Sequence, residues 1–316
     1  MMAAAISGNE HLMADHTTDR TAGGAPERPG YECAFVLGGG GSLGAHEVGM
    51  LKALLEAGVK PDLVVGTSVG AINGALLAAD PTPDTVERLS GLWQGMGRAG
   101  VFSGSLAGRV GTAVRSRTHL YSNGPLRALL ERDLPDLPIE ELQVPFQCVA
   151  ACIELSAEHW FSSGPLVPAI LASSAVPGLL PPVRIDGRHF LDGGLVNSIP
   201  VGRAVALGAR TVFVLQVGRI EQPLSVPRQP WEVASVCFEI ARRHRFARDM
   251  ADLPEDVAVH VLPTGAEPER RGRLSPARQL RHRDFGSTSE RIDRAYRASA
   301  GYLESLGPTG PEDRRP

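Results

Sequence analysis

The chain has 316 residues, 43% of them hydrophobic and 21% charged, with a formal net charge of −3. That hydrophobic share suits a packed core and excludes a disordered chain or a fibre, while the length suits one large α/β domain with tails, or two domains of about 150 residues each. Charge so close to balance provides no global basic field, so no nucleic-acid partner is expected.

Residues 1–30 mix Ala, Gly, Thr and charges without periodicity and read as a disordered leader. They lack the basic start and apolar run of a secretory signal. The longest uncharged stretch in a β-α unit, residues 63–79, is shorter than the ~20 residues a membrane span needs. Thr67, Ser68 and Asn73 also interrupt it. The expected location is cytoplasmic, with peripheral membrane contact as an option. Cys33, Cys148, Cys152 and Cys237 form no Cys-x-x-Cys pair and read as buried structural thiols. No metal site and no cofactor is expected.

Order begins with the apolar run 33–37, a buried strand. A glycine cluster follows, then a helix over 43–57 with Val48, Leu51, Leu54 and Leu55 on one stripe, closed by Gly58. Residues 62–65 are the next strand, and an Ala-rich helix runs to residue 79. Strand, helix, strand, helix implies a parallel sheet with helices packed on it. A helix begins near Pro81–Asp84, and another follows Ser122 or Asn123 with Pro125 in its first turn. Strands are expected at 146–153 and 159–162, and a helix at 165–173. A hairpin over 183–191 turns on Asp186-Gly187, a strong two-residue turn signal. Helix 200–207, strand 211–217, helix 231–251, strand 257–262 and helix 288–306 complete the chain. The expected divisions are a leader at 1–30, a catalytic domain at 31–265, and an Arg-rich segment with a C-terminal helix and tail at 266–316.

Three motifs follow apolar strands of what should be one sheet, where ligands gather at carboxyl ends. The first is Gly38-Gly39-Gly40-Gly41-Ser42-Leu43-Gly44. Converging backbone N–H groups at a helix start can bind an anion or a developing oxyanion. The turn also fits Gly-x-Gly-x-x-Gly through Gly39, Gly41 and Gly44. A dinucleotide site, however, wants an acidic residue at the far end of the second strand, and that end holds Gly66-Thr67-Ser68. A P-loop fails for want of a Lys-Ser/Thr pair. The second motif, Gly66-Thr67-Ser68-Val69-Gly70, has the pattern of a nucleophile elbow, with glycines leaving room for a strained turn. The third, Asp192-Gly193-Gly194, can bring a carboxylate close to another backbone loop. An oxyanion site, a nucleophile and a base together make acyl-transfer chemistry.

An α/β-hydrolase would place a histidine after the acid, and His244, His260 and His282 satisfy that order. Ser68 nevertheless ends only the second strand, one β-α unit after the glycine turn. At these motifs the chain resembles the patatin-like phospholipase family, which combines a glycine turn, a Gly-x-Ser-x-Gly elbow and a distant Asp-Gly-Gly/Ala. Residues 172–178 are similar to the segment preceding that family's aspartate. The likeness runs from about residue 33 to 262. It implies a three-layer α/β/α fold with a mainly parallel central sheet, and hydrolysis of lipid acyl esters by a Ser-Asp dyad through an acyl-enzyme. By this resemblance Ser68 is nucleophile, Asp192 is base, and the N–H groups of Gly39, Gly40 and Gly41 form the oxyanion hole. Gly44, Gly66, Gly70, Gly193 and Gly194 support these motifs. Leu43 stands where the family usually has Arg or Lys. An acyltransferase using the same acyl-enzyme, and a silent lipid-binding or regulatory protein, are the rival readings.

His46 and His189 are expected to be packed or at the surface. Arg242, Arg243, His244, Arg245 and Arg248 share one helix, and with the Arg-rich residues 267–284 read as a solvated face or a contact for anionic membrane. The glycine-rich stretch 95–118 is expected to act as a mobile cover or interfacial contact.

Overall fold

The computed structural model describes residues 30–99, 118–217, 223–265 and 288–307. The leader, most of the expected cover and the Arg-rich stretch therefore lie outside the described residues.

The central sheet has eight strands: β1 (Tyr31–Leu37), β2 (Leu63–Thr67), β3 (Phe146–Cys152), β4 (Ala157–Phe161), β5 (Val183–Ile185), β6 (Arg188–Asp192), β7 (Ala209–Leu215) and β8 (Ala258–Val261). The parallel part runs β3-β2-β1-β7-β8. Strand alternation sends side chains to two faces, and each face has its own core. Phe35, Leu37, Val64, Phe213 and Leu215 enter one. Ala34, Val36, Leu63, Val65, Val212 and Val214 enter the other. Strands buried on both faces need helices on both sides, which produces the expected three-layer α/β/α arrangement.

The larger core is covered by α1 (Ala45–Glu56), α2 (Val69–Ala79), α3 (Pro83–Ala99), α4 (Gly124–Asp133), α5 (Leu166–Ser173) and α8 (Thr288–Ser305). The smaller is covered by α6 (Val201–Ala206) and α7 (Pro230–Ala251). Ile292, Ala295 and Leu303 put α8 into the same core as α1. Residues 95–99, expected to begin a cover, continue α3 instead. No helix among the described residues is long and apolar enough to cross a membrane.

Register in the antiparallel part matters for the site. Cys148 pairs with β4 on one edge and β2 on the other, and Ala150 pairs with β4 and with β6. β2 and β6 therefore lie end to end along one edge of β3, with their carboxyl ends meeting. Thr67 sits opposite Val149, and Asp192 sits opposite Ala150. The β5–β6 hairpin turns through Asp186 and Gly187, both at positive φ (48° and 79°), as a two-residue primed turn requires.

Cys148 and Cys152 are buried on one face of β3 as expected, and Cys33 is half-buried. Cys237 is exposed, contrary to the expectation for all four. It lies on the outward stripe of α7 with Val233 and Ile240, a face that apolar periodicity cannot distinguish from an inward one.

Candidate active site

Ser68 occupies the junction between β2 and α2 with φ 55° and ψ −119°, a conformation that non-glycine residues rarely adopt. Such strain persists only where the surroundings enforce it. Here the Ser68 N–H donates to Ser173 Oγ at 2.9 Å, and its carbonyl accepts from the N–H groups of Ala71 (2.9 Å) and Ile72 (3.3 Å). Thr67 Oγ1 donates to the Asn197 carbonyl at 2.8 Å. Side chains at the flanking glycines would collide with backbone. A Cβ on Gly66 would lie 2.5 Å from the Gly70 carbonyl oxygen, and one on Gly70 would lie 2.3 Å from that of Leu37.

The Ser68 hydroxyl donates to Asp192 Oδ2 at 2.6 Å. Both residues are buried, at 5% and 4% exposure. Asp192 Oδ1 accepts the Gly194 N–H at 2.7 Å, and the Asp192 N–H donates to the Ala175 carbonyl at 2.9 Å. Gly193 packs so tightly that a Cβ would come within 2.2 Å of the Val149 carbonyl oxygen. Burial pushes the Asp192 carboxyl up to about 6, against the opposing pull of the Ser68 and Gly194 hydrogen bonds. This carboxylate is thus a stronger base than an exposed one. It is aligned to take the proton from a hydroxyl that has no other hydrogen-bond partner among the described residues.

The glycine turn lies against this pair, with a Cβ built on Gly39 falling 3.5 Å from Ser68 Cβ. The three expected donors divide here. The Gly39 N–H donates to the Ser198 carbonyl at 2.8 Å, so it is already committed. The N–H groups of Gly40 and Gly41 have no acceptor among the described residues. They stand at the start of a 3-10 turn (Gly41–Gly44) that leads into α1, where orphan N–H groups suit a developing negative charge. Gly44 packs against the Trp93 indole, with space for no Cβ. Beneath the turn, Trp93 Nε1 donates to Asn73 Oδ1 (2.9 Å), and Asn73 Nδ2 donates to Glu47 Oε2 (2.7 Å) and the Gly44 carbonyl (3.1 Å). Glu47 is fully buried, which raises its carboxyl well above the usual range.

None of the described histidines hydrogen-bonds Ser68 or Asp192. His46 is buried, with Nδ1 2.8 Å from the Leu43 carbonyl oxygen. His189 pairs with Glu154 at 2.6 Å on the exposed hairpin. His260 stacks on Phe213, His244 is exposed, and His282 lies outside the described residues. Among the described residues no cluster of His, Cys, Asp and Glu could hold a metal ion.

The arginine-rich helix departs from a uniformly solvated face. Arg242 is buried, Arg243 pairs with Glu239 (3.4 Å), and Arg245 pairs with Asp249 (3.0 Å) and Glu158 (3.7 Å). The sequence marks no role for Ser173 or Ser198, and it suggests a solvated or membrane-facing Arg242 where the structure buries that side chain. Ser173 sits in the segment flagged for its likeness to the family, and that was its one signal.

Residues 35–205 match the family model described as patatin-like phospholipase. Among curated proteins, lysophospholipase nte1 of Aspergillus terreus is 36% identical over 199 residues, covering 61% of this chain and 12% of its own length. Patatin-like phospholipase domain-containing protein ZK370.4 of Caenorhabditis elegans is 34% identical over 197 residues (61% and 14%). Patatin-like phospholipase domain-containing protein 6 of Mus musculus is 34% identical over 191 residues (60% and 14%). The chain thus matches about one eighth of the length of these relatives.

Proposed function

Because this chain belongs to the patatin-like phospholipase family, we propose that it is a serine hydrolase cleaving acyl ester bonds of lipids. The observation that carries the reading is the 2.6 Å hydrogen bond from Ser68 Oγ to the buried Asp192 carboxylate. In the first half-reaction Ser68 Oγ attacks the ester carbonyl while its proton passes to Asp192 Oδ2. The carbonyl oxygen becomes an oxyanion facing the N–H groups of Gly40 and Gly41. Collapse expels the alcohol, which takes the proton back from Asp192, and leaves Ser68 acylated. Water then gives a proton to Asp192 and attacks the acyl carbonyl. Collapse of the second tetrahedral intermediate returns that proton to Ser68 Oγ and releases the fatty acid.

The relative from Aspergillus terreus is named a lysophospholipase, which makes lysophospholipid the first substrate to try. In this reading the catalytic unit is residues 31–265 together with α8, which shares their core through Ile292, Ala295 and Leu303, and lipid contact is peripheral. Arg248 and His244 are left exposed on α7 to meet anionic headgroups from the cytoplasmic side.

The test is intact-mass labelling by a fluorophosphonate, run beside fatty-acid release from lysophosphatidylcholine micelles. One adduct on the parent protein and none on Ser68→Ala, with release lost in parallel, is the expected result. Labelling elsewhere, or release that survives Ser68→Ala, would sink the reading. Transfer of the acyl group to added alcohol in preference to water would convert the hydrolase into an acyltransferase.

A further inference from the structure

Residues 38–44 contain no cation, yet a guanidinium is buried behind this turn. Arg242, on α7 and beyond the span matched by the family model, is 5% exposed. Its Nε donates to Ser198 Oγ at 2.9 Å, and its Nη2 reaches the Gly39 carbonyl oxygen at 3.5 Å. Nη1 pairs with Glu239 at 3.4 Å. Burying a guanidinium is costly unless its partners compensate, and two of these partners belong to the wall of the site. Gly39 is thereby held on both sides: its N–H by the Ser198 carbonyl (2.8 Å) and its carbonyl by Arg242.

This clamp has a directional consequence. No peptide bond among the described residues is cis, and a trans peptide points its C=O and its N–H in opposite directions. While Arg242 holds the Gly39 carbonyl, the N–H of Gly40 is turned away from α7. The positive guanidinium beside that carbonyl also polarises the Gly39–Gly40 peptide, which makes its N–H a better donor.

We propose that Arg242 is a positioning residue of the oxyanion turn. Its guanidinium locks the Gly39–Gly40 peptide so that the Gly40 N–H faces the charge that develops when Ser68 attacks. The proposal rests on the reading of Ser68 as nucleophile. An oxyanion exists only beyond the ground state, so the effect belongs in kcat and not in KM. Loss of an oxyanion donor outright costs about 10²–10³ in kcat, and a loosened donor should cost roughly 10- to 100-fold.

The experiment compares the parent protein with Arg242→Ala, Arg242→Lys and Ser198→Ala on a soluble nitrophenyl acyl ester, with fluorophosphonate labelling mapped in each. Arg242→Ala is expected to lose about 10- to 100-fold in kcat with KM within about twofold. Millimolar guanidinium chloride should restore part of that loss where equal sodium chloride does not. Arg242→Lys should fall between, because a point charge replaces a fork. Ser198→Ala removes the acceptor of Nε but retains the carbonyl that holds Gly39. It should lower kcat a few-fold, and it keeps the proposal testable if Arg242→Ala does not fold. Unchanged kcat in a folded Arg242→Ala, or in Ser198→Ala, overturns the proposal, as does a loss carried by KM. A parent protein that is not labelled at Ser68 overturns the nucleophile reading as well, and that outcome has a different signature.

Discussion

The Ser68 elbow and the glycine turn lie against each other across the site, and they differ in how much of their shape is local. The elbow has local ties as well as distant ones: Gly66 presses on the Gly70–Ala71 backbone and the first turn of α2 bonds to the Ser68 carbonyl, while Leu37, Ser173 and Asn197 brace it from elsewhere in the chain. The glycine turn has no side chain of its own on Gly39, Gly40 or Gly41 to hold it. Ser198 and Arg242 bind Gly39 from outside, and Arg291 of α8 donates to the Ser42 carbonyl at 3.2 Å. A serine at an elbow is thus shaped in part by its own turn, whereas a pair of bare N–H donors depends on the rest of the fold to aim it.

Chemistry should break first where the two loops meet. Asp192→Asn keeps the size of the side chain and removes the proposed base, so single-turnover acylation should drop about 10²–10⁴-fold. Near-normal acylation in the folded variant would break the dyad reading. The same substitution should change stability with pH. Burial raises the Asp192 carboxyl from 3.8 to about 6, so the folded protein binds more protons than the unfolded chain between these values. The parent therefore loses stability as pH rises through that window, on the order of 3 kcal/mol at most. A neutral amide in place of the carboxylate carries no such penalty. Urea unfolding at pH 4 and pH 8 should find the variant gaining on the parent at the higher pH, and an equal difference at both would break the assignment.

Gly70→Ala tests how closely the elbow must pack on the end of β1. A Cβ 2.3 Å from the Leu37 carbonyl oxygen must displace backbone, and overpacking of this kind costs about 1–3 kcal/mol. Urea unfolding should register that loss together with loss of fluorophosphonate labelling. Arg291→Ala, on the other loop, removes one hydrogen bond to the turn and should cost only about 1 kcal/mol. A larger loss for Arg291→Ala than for Gly70→Ala, measured the same way, would reverse the comparison. Activity of the parent should fall about tenfold per pH unit below about 6, where Asp192 becomes protonated. His189→Asn should leave kcat unchanged in steady-state assays, because its partner is Glu154 in the exposed turn between β3 and β4.

The same division explains what could be read from the chain alone. The elbow is written in five consecutive residues whose constraints are mutual, so strand, turn and helix follow from the pattern. The Asp186-Gly187 hairpin is local in the same sense. β6 is less legible, because alternation marks a strand without saying that it runs antiparallel to β3 and meets β2 end to end. The glycine turn announces donors but not which are already used, and the committed N–H of Gly39 depends on Ser198, far along the chain. Arg242 was hidden in a run of cations, because sequence alone does not reveal which face of α7 is turned inward.

β3 finally acts as a gauge for the distance between Ser68 and Asp192. Two of its consecutive residues, Val149 and Ala150, set the spacing between the end of β2 and the end of β6. A slip of one residue in β6 would carry the Asp192 side chain to the opposite face of the sheet. Within the excursion from β3 to β6, which includes β4, α5 and β5, Ser173 and Ala175 bond to the backbone of the pair. The outer turns of that excursion only deliver β6 in phase. They are therefore free to vary in length, or to be opened and rejoined elsewhere, without moving the carboxylate from the hydroxyl.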